Sequence, residues 1–328
     1  MEGRRTQRAV REQNAMMLLG VLFFIGGVIL IATWLFRPPG QTEGADANVE
    51  TEVAGITAVV DSTTTGPATT TPILRSFTLA ITGDVVPPAG RDDYRPLFAA
   101  VKPILTPANL ALCHITTEDV EPEVLEAIAD AGYDGCAPTA STAVHDVNGV
   151  QVAVISATAT DATSLSEAAQ AARASGAQVV VVSIEWGDAN RVAPTEDQML
   201  LASELSSVPD IDLLVGHGAG VVQPVVAAGQ TVVAYGLGEF LAPAEDGVIL
   251  EVRFDETAAG SGEFRAAAVA FTPTRVLRDS SEIVPIATMI NDPEYNFDEG
   301  DREVLTQSAA ATKDAVTLLD DVAQPSGK

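Results

Sequence analysis

The chain has 328 residues and a formal net charge of −27, from 45 acidic against 18 basic residues. This length allows one large domain or two small ones with appendages. The acidic surplus argues against a nucleic-acid partner, because neutralising phosphates requires clustered Lys and Arg, and it argues against docking flat on an anionic bilayer. Cys113 and Cys136 are the only cysteines, which excludes a disulfide-stapled miniprotein and a cysteine-rich zinc site and leaves one bridge open.

The N-terminal segment predicts a membrane anchor. Residues 16–36 carry no charge and follow an arginine-rich start, residues 1–15. About 20 apolar residues suffice to span a bilayer as a helix. The FRPPG that follows offers no convincing cleavage site, which favours an uncleaved anchor over a signal peptide. The arginines before the span predict a single-pass protein of the cell membrane, with a cytoplasmic N-terminus and the main domain extracytoplasmic.

Beyond the anchor, composition divides the chain into three parts. Residues 37–75 are polar, acidic and Thr-rich, and they predict a disordered stalk that buries too little surface to fold. Residues 76–278 predict an α/β domain. Residues 279–328 predict a C-terminal extension with one helix, over 301–320.

The α/β prediction rests on apolar runs that alternate with helical patterns. The predicted strands are 77–86, 109–113, 133–136, 150–157, 178–184 and 211–215, and the predicted helices are 122–131, 164–174 and 195–206. Strands that are apolar throughout predict a mostly parallel sheet covered on both faces. Three further strands, 231–235, 247–254 and 263–271, follow one another without a helix, so either the sheet is mixed or two sheets pack together. Ser164 with Glu167 and Thr195 with Gln198 predict capping boxes at two helix starts.

Five polar residues come where predicted strands end: Asp84, His114, Glu185, His217 and Glu239. Parallel strands place their carboxyl ends at one edge of a sheet, where α/β proteins bind ligands. A dinuclear hydrolase builds its site in this way, with carboxylates and imidazoles from successive strand ends.

Several blocks, in order, carry a resemblance to a known family. They are FTLAITGDVV, ANLALCH, IADAGYDGC, VVVVSIEWG, PDIDLLVGHGAGVVQPV and VVAYGLGEF. Together, from about Phe77 to Phe271, they resemble the CapA-type proteins of capsule and poly-γ-glutamate synthesis, which are membrane-anchored members of the calcineurin-like metallophosphoesterase superfamily. The resemblance implies a layered α/β sandwich with mixed sheets, and it retains Asp84 as the Gly-Asp aspartate.

The departures from the family pattern fall on the metal ligands. Thr116 stands where the family has a glutamate, and an Asn-His pair after the GYDGC block is absent. Glu185 replaces the histidine of His-Trp-Gly. Gly218 and Gly220 stand where the family has two further histidines after His217, and Glu239 stands in place of the asparagine of Leu-Gly-Asn-Phe.

These losses leave Asp84, Glu185 and His217 as metal ligands implied by the resemblance, with His114 as a fourth. A two-metal centre needs about six protein ligands, whereas three can hold one ion. The expectation is therefore no cofactor or one divalent ion, Mn, Zn or Mg, and the loss favours an inactive site. If chemistry remains, His217 and His114 are the catalytic candidates. His145 is expected in an exposed loop, without a role.

Three functions remain open. The first is a non-catalytic tethered protein that binds an envelope polymer or other capsule-synthesis proteins. The second is a mononuclear hydrolase or amide-transfer enzyme that acts on such a polymer. The third is a purely structural, stalked surface protein. Free poly-γ-glutamate would be repelled by so acidic a domain unless cations bridge the two.

Overall fold

The computed structural model describes residues 74–115, 120–138, 141–158, 161–242, 245–319 and 322–326. The predicted cytoplasmic segment, the anchor, nearly all of the stalk and Thr116 lie outside these residues. Within them, no helix is long and apolar enough to cross a membrane.

Two mixed sheets form the centre of the protein. The first contains β1 (Ser76–Val85), β2 (Leu110–Ile115), β3 (Gly135–Pro138), β10 (Glu239–Leu241), β11 (Asp246–Glu256), β12 (Phe264–Val276), β13 (Ile283–Pro285) and β14 (Ala323–Pro325). Its main path runs β13-β12-β11-β1-β2-β3, with β10 beside β1 and β14 beside β12. The second contains β4 (Ser141–Val147), β5 (Val150–Thr158), β6 (Val179–Glu185), β7 (Leu213–His217), β8 (Val225–Ala228) and β9 (Thr231–Ala234), in the order β4-β5-β6-β7-β9-β8.

Helices pack against both sheets. They are α1 (Arg95–Phe98), α2 (Lys102–Leu105), α3 (Pro122–Ala131), α4 (Ala162–Ala174), α5 (Glu196–Ser206), α6 (Ile286–Met289) and α7 (Glu299–Val316). Side chains of α1 to α3, such as Phe98, pack on the first sheet, and those of α4 and α5, such as Leu205, pack on the second. A third apolar cluster, which includes Leu79, Val181 and Phe254, lies between the sheets. The mixed-sheet α/β architecture predicted from the sequence is confirmed.

Local signals explain most helix boundaries. The capping box of α5 is present, because Thr195 Oγ1 accepts from Gln198 N at 3.1 Å and Gln198 Oε1 accepts from Thr195 N at 2.9 Å. The capping box predicted at Ser164 is wrong. Asp161 caps α4 instead, by accepting from Ser164 N at 2.8 Å, so the helix begins earlier, at Ala162.

Two segments depart from the sequence-based expectations. Residues 141–147, expected as a loop, form β4, which pairs antiparallel with β5 through the Asn148-Gly149 turn. The C-terminal extension was expected to contribute one helix, but it also contributes two strands, because β13 and β14 both join the first sheet beside β12.

Candidate metal centre

A bulge in β1 determines where Asp84 points. Before the bulge, Ile81 pairs with Leu112 of β2, and both side chains face the second sheet. After it, Asp84 pairs with His114, so the register has slipped by one residue. A slip of one residue moves a side chain to the opposite face of a sheet. Without the bulge, Asp84 would share the face of Ala80 and point at the helices.

His217 reaches Asp84 from the second sheet. It lies at the end of β7, on the same face as Leu213 and Val215, which both belong to the apolar cluster between the sheets. Its Nδ1 lies 2.8 Å from Asp84 Oδ1, and Nδ1 of His114 lies 3.1 Å from the same oxygen. The two imidazole rings stack with centroids 4.3 Å apart. Asp84, His114 and His217, hereafter the Asp–His–His group, therefore join the two sheets.

The Asp–His–His group is almost completely closed to solvent. Its side chains have exposed fractions of only 2% to 3%, and Gly218 N donates to the second oxygen of Asp84 at 3.0 Å. Burial would raise the pKa of Asp84, but hydrogen bonds from His114, His217 and Gly218 outweigh burial and hold the pKa far below its usual range. An ionised carboxylate can only accept hydrogen bonds, so the Nδ1 atom of each histidine carries a hydrogen and donates a hydrogen bond to Asp84 Oδ1.

Burial acts in the opposite direction on His217. It lowers the pKa of this imidazole from 6.5, although Asp84 raises it through a hydrogen bond and its charge. His217 is therefore neutral at pH 7, while Asp84 keeps its negative charge. The Asp–His–His group thus holds a buried carboxylate that is stabilised by hydrogen bonds and carries no compensating charge on His217.

Close backbone approaches hold this end of the sandwich together. A side chain at Gly83 would collide with the carbonyl oxygen of Gly238, and Asp84 N donates to that same oxygen at 3.0 Å. β10 can therefore lie against the end of β1 only because position 83 carries no Cβ. Glycine is the residue that permits such an approach.

Glycine also leaves room for two glutamates beside the Asp–His–His group. A Cβ at Gly218 would lie 2.9 Å from Cγ of Glu185, and a Cβ at Gly220 would lie 3.4 Å from Oε1 of Glu239. Both glycines have positive φ, 88° and 69°, which disfavours any larger residue there. The two carboxylate side chains thus lie next to the positions where the resemblance led us to expect imidazoles.

Glu239 is the least stabilised carboxylate of this region. It pairs with Asp84 across β1 and β10, and its Oε2 is buried without a hydrogen-bond partner. Burial, together with the negative charges of Asp84 and Glu245, raises its pKa to about 7. Near neutral pH this side chain therefore exists as a mixture of its acid and its carboxylate.

The donor set fits one divalent ion and not two. One donor atom from each member of the Asp–His–His group lies within 4.8 Å of the others, and no other His, Cys, Asp or Glu of the described residues joins them. Three N and O ligands are enough for one Zn²⁺ or a similar ion. Each imidazole must then present a deprotonated nitrogen, so an ion that used the Nδ1 atoms would replace both hydrogen bonds to Asp84.

The structure thus brings together three of the residues singled out in the sequence, Asp84, His114 and His217. Glu185 lies beside this group against Gly218 and is not a member of it.

Cys113 and Cys136 pair as neighbours on β2 and β3 with Cα atoms 4.4 Å apart, and they form a disulfide.

The expectation that His145 lies in an exposed loop is wrong. It lies on β4, where residues of odd number face inward, and its ring packs against Gly135 of β3. The side chain is therefore half-buried between the edge strands of the two sheets, at a place that no motif singled out. The Asn148-Gly149 turn was the available signal, because a hairpin turn requires a strand on each side.

The fold and site define a two-sheet α/β sandwich with a buried Asp–His–His group at its facing strand ends. The family model of the bacterial capsule synthesis protein PGA_cap matches residues 128–244. This match confirms the resemblance to the capsule-synthesis family over that part of the chain, which includes His217, whereas Asp84 and His114 precede it. No protein of curated function matches the chain.

Two solved structures show low similarity to the chain. The calcineurin-like phosphoesterase YfkN from Bacillus subtilis is 11% identical with a TM-score of 0.39, over 73% of this chain and 97% of that one. GAP50, described as the anchor in the inner membrane complex of Plasmodium, is 8% identical with a TM-score of 0.37, over 77% and 98%. Similarities this low assign no function to the chain.

Proposed function

We propose that this protein acts in the assembly or export of a capsule or other envelope polymer, as a tethered, non-catalytic domain that binds the polymer or a partner protein. The match to the capsule synthesis family supports the process. The predicted anchor over 16–36 and the predicted stalk over 37–75 would hold the domain at a distance from the outer face of the cell membrane.

One observation carries the non-catalytic part of the proposal. Both oxygens of Asp84 already accept hydrogen bonds, from two imidazoles on one side and from Gly218 N on the other. The carboxylate of Asp84 is therefore satisfied without an ion, as buried polar groups must be. Gly218 and Gly220 contribute no ligand atoms, and Glu185 is not one of the clustered donors. The group then serves to lock the two sheets together.

The first test measures metal and turnover in the full-length protein. We expect less than one metal ion in ten molecules by mass spectrometry, and no hydrolysis of bis(p-nitrophenyl) phosphate above the level of a His217→Gln variant. Glutamine keeps a donor for Asp84 and removes the imidazole. Asp188→Asn, at a side chain that is 70% exposed, is the matched surface control. Stoichiometric metal together with turnover that Asp84→Ala abolishes would overturn the proposal.

The second test measures polymer in cells of the native host that lack the gene. Because the role is binding, His217→Gln should restore surface polymer as fully as the unaltered gene, provided that the variant reaches the same cellular level. A deletion of residues 16–36 should fail, since it removes the predicted tether. Polymer lost in His217→Gln at an unchanged protein level would contradict a non-catalytic role.

The clustering of three donor atoms favours one alternative, a mononuclear metal-dependent hydrolase or amide-transfer enzyme. Asp84, His114 and His217 would hold the ion. A divalent ion there would polarise a substrate oxygen and lower the pKa of a bound water. Glu239, with its pKa near 7, lies in register with Asp84 and has the acidity required of a proton acceptor or donor at neutral pH.

This alternative makes different predictions for the same variants. His217→Gln would remove both the metal and the turnover, and Glu239→Gln would lower the turnover while the metal content stayed unchanged. Equal turnover in the unaltered protein and in His217→Gln would exclude the alternative.

A further inference from the structure

A cavity lies between the two sheets next to the Asp–His–His group. It has a volume of about 210 Å³, and Ile81 and Leu112 of the first sheet form one wall. Val154, Val181 and Val215 of the second sheet lie on the other side. A cavity of about 150 Å³ with an apolar lining is large enough for benzene. This cavity can therefore take one molecule the size of a single ring.

Three serines, hereafter the serine row, account for the free space. Ser141, Ser156 and Ser183 are direct neighbours across β4, β5 and β6, and all three line the cavity. One row further from the strand ends, the pairs are Ala143 with Val154 and Val154 with Val181. Because serine side chains are smaller than valine side chains, they leave unfilled space between the sheets at this row. Gly135 of β3, on the opposite side, has no side chain to fill the space.

The cavity contains a hydroxyl group that has no partner. Ser156 is 3% exposed, and its Oγ makes no hydrogen bond. A buried polar atom without a partner is rare in proteins, because it loses its water and gains nothing in return. A ligand with a hydroxyl or carbonyl group would supply the missing hydrogen bond.

The lining also limits the charge of the ligand. No Lys, Arg, Asp or Glu is among the lining residues, and the only titratable side chains there are those of His145 and His217. Transfer of an unpaired ion into such a space is very costly. The site is therefore suited to a neutral molecule and unsuited to a phosphate or to a carboxylate polymer.

An entrance exists between the edge strands β3 and β4. Five of the six partly exposed lining residues lie on these two strands, among them Cys136, Ser141 and His145, and the sixth is Ser183 of β6. The valines of the inner strands, such as Val181 and Val215, are buried. β3 and β4 are the terminal strands of their sheets. The ring of His145 packs against Gly135 at this edge and narrows the opening.

We infer that this cavity is a binding site for a small neutral molecule with one apolar ring-sized body and one hydrogen-bonding group, which enters between β3 and β4 and bonds to the serine row. The site adjoins the Asp–His–His group, because His217 belongs to that group and also lines the cavity. It does not depend on the role proposed above.

Phenol and toluene test this inference with the full-length protein, by isothermal titration calorimetry. They have the same number of heavy atoms and differ in a hydroxyl against a methyl group. We expect phenol to bind about fivefold more tightly than toluene, which is the ratio that one neutral hydrogen bond supplies. Ser156→Ala should abolish this preference and leave toluene binding unchanged. Absence of binding by both probes, or equal binding of the two to the unaltered protein, would overturn the inference.

A pair of variants on β4 tests the location. Ala143→Leu fills part of the cavity with a larger side chain and should weaken phenol binding at least about tenfold, since the leucine occupies the space of the ring. Thr142→Leu makes a similar change on the exposed face of the same strand and should have no effect. Circular dichroism checks that both variants are folded. If folded Ala143→Leu bound phenol as tightly as the unaltered protein, the site would lie elsewhere and the inference would be contradicted.

Discussion

The replacement Asp84→Asn tests whether the Asp–His–His group holds the two sheets together. Asparagine keeps the shape and one acceptor oxygen, but it removes the charge and turns an NH₂ group towards Gly218 N or the imidazoles. Hydrogen bonds to a charged acceptor contribute about 1.5–3 kcal/mol, and those between neutral groups about 0.5–1.5 kcal/mol. Two weakened bonds, at about 1–1.5 kcal/mol each, and one lost bond, at about 1.5–3 kcal/mol, sum to about 3.5–6 kcal/mol. The cost of burying a charged carboxylate, which asparagine avoids, must be subtracted from this sum. We therefore expect a net loss of about 2–3 kcal/mol in the free energy of unfolding at pH 7.

The pH dependence of the stability difference between the two proteins shows whether the ionised carboxylate of Asp84 causes it. The pKa of Asp84 is lower in the folded protein than in the unfolded chain, so the unfolded chain binds the extra proton. The contribution of Asp84 to stability is therefore complete above about pH 4, near its unfolded pKa, and is lost as the pH falls further towards the folded pKa. The difference between the unaltered protein and Asp84→Asn should stay constant from pH 7 to pH 5 and shrink below pH 4.

Urea unfolding followed by circular dichroism measures this difference at each pH. Asp188→Asn is the matched control, because it makes the same chemical change at a side chain that is 70% exposed and 3.6 Å from Arg191. Exposed pairs of this kind contribute less than about 1 kcal/mol. A change below about 0.5 kcal/mol for Asp84→Asn at pH 7 would refute the reasoning, since surface substitutions have effects of that size.

Three further predictions concern the surroundings of the group. Glu239→Gln should make the metal-free protein more stable at pH 8 by about 1–2 kcal/mol, a value discounted for the partial exposure of the side chain. The reason is that the pKa of Glu239 is raised in the folded protein, so the stability of the unaltered protein falls as the pH rises from about 4.5 to 7. Equal urea midpoints of the two proteins at pH 8 would contradict this. Gly218→Ala should destabilise by about 1–2 kcal/mol through its positive φ and its approach to Glu185, measured by thermal unfolding, and an unchanged midpoint would argue against the strain. Cys113→Ser with Cys136→Ser opens a crosslink over a sequence separation of 23 and should cost about 3 kcal/mol, whereas a urea midpoint like that of the oxidised protein would disprove its stabilising role.

The repeating patterns of the sequence predicted most of the layers. Continuous apolar runs such as 178–184 predicted buried strands, and Thr195 with Gln198 predicted the start of α5. These signals are local, so they can be read from a few residues. β4 was missed because its inward positions include Ser141 and His145, so that the segment lacks the apolar alternation of a half-buried strand and resembles a polar loop.

The candidate site was predictable only in part. The convergence of Asp84, His114 and His217 follows from their places at strand ends. The bulge that turns Asp84 inward has no signature in the sequence, and neither does the register that aligns the serine row across three strands. Register depends on pairing between segments far apart in the chain. The sequence therefore could not determine that Glu185 lies beside the clustered donor atoms and not among them.

The contact between Gly83 and Gly238 makes the protein vulnerable at a point that carries no functional group. Alanine at position 83 would push β10 away from β1 and break the bond from Asp84 N to Gly238 O. All the acidic and basic side chains would still be encoded, yet Glu239 would be displaced from its place opposite Asp84. A genetic survey that inspected only ionisable residues would classify such an allele as intact, although the packing of β10 against β1, which positions Glu239 and Asp84, had been lost.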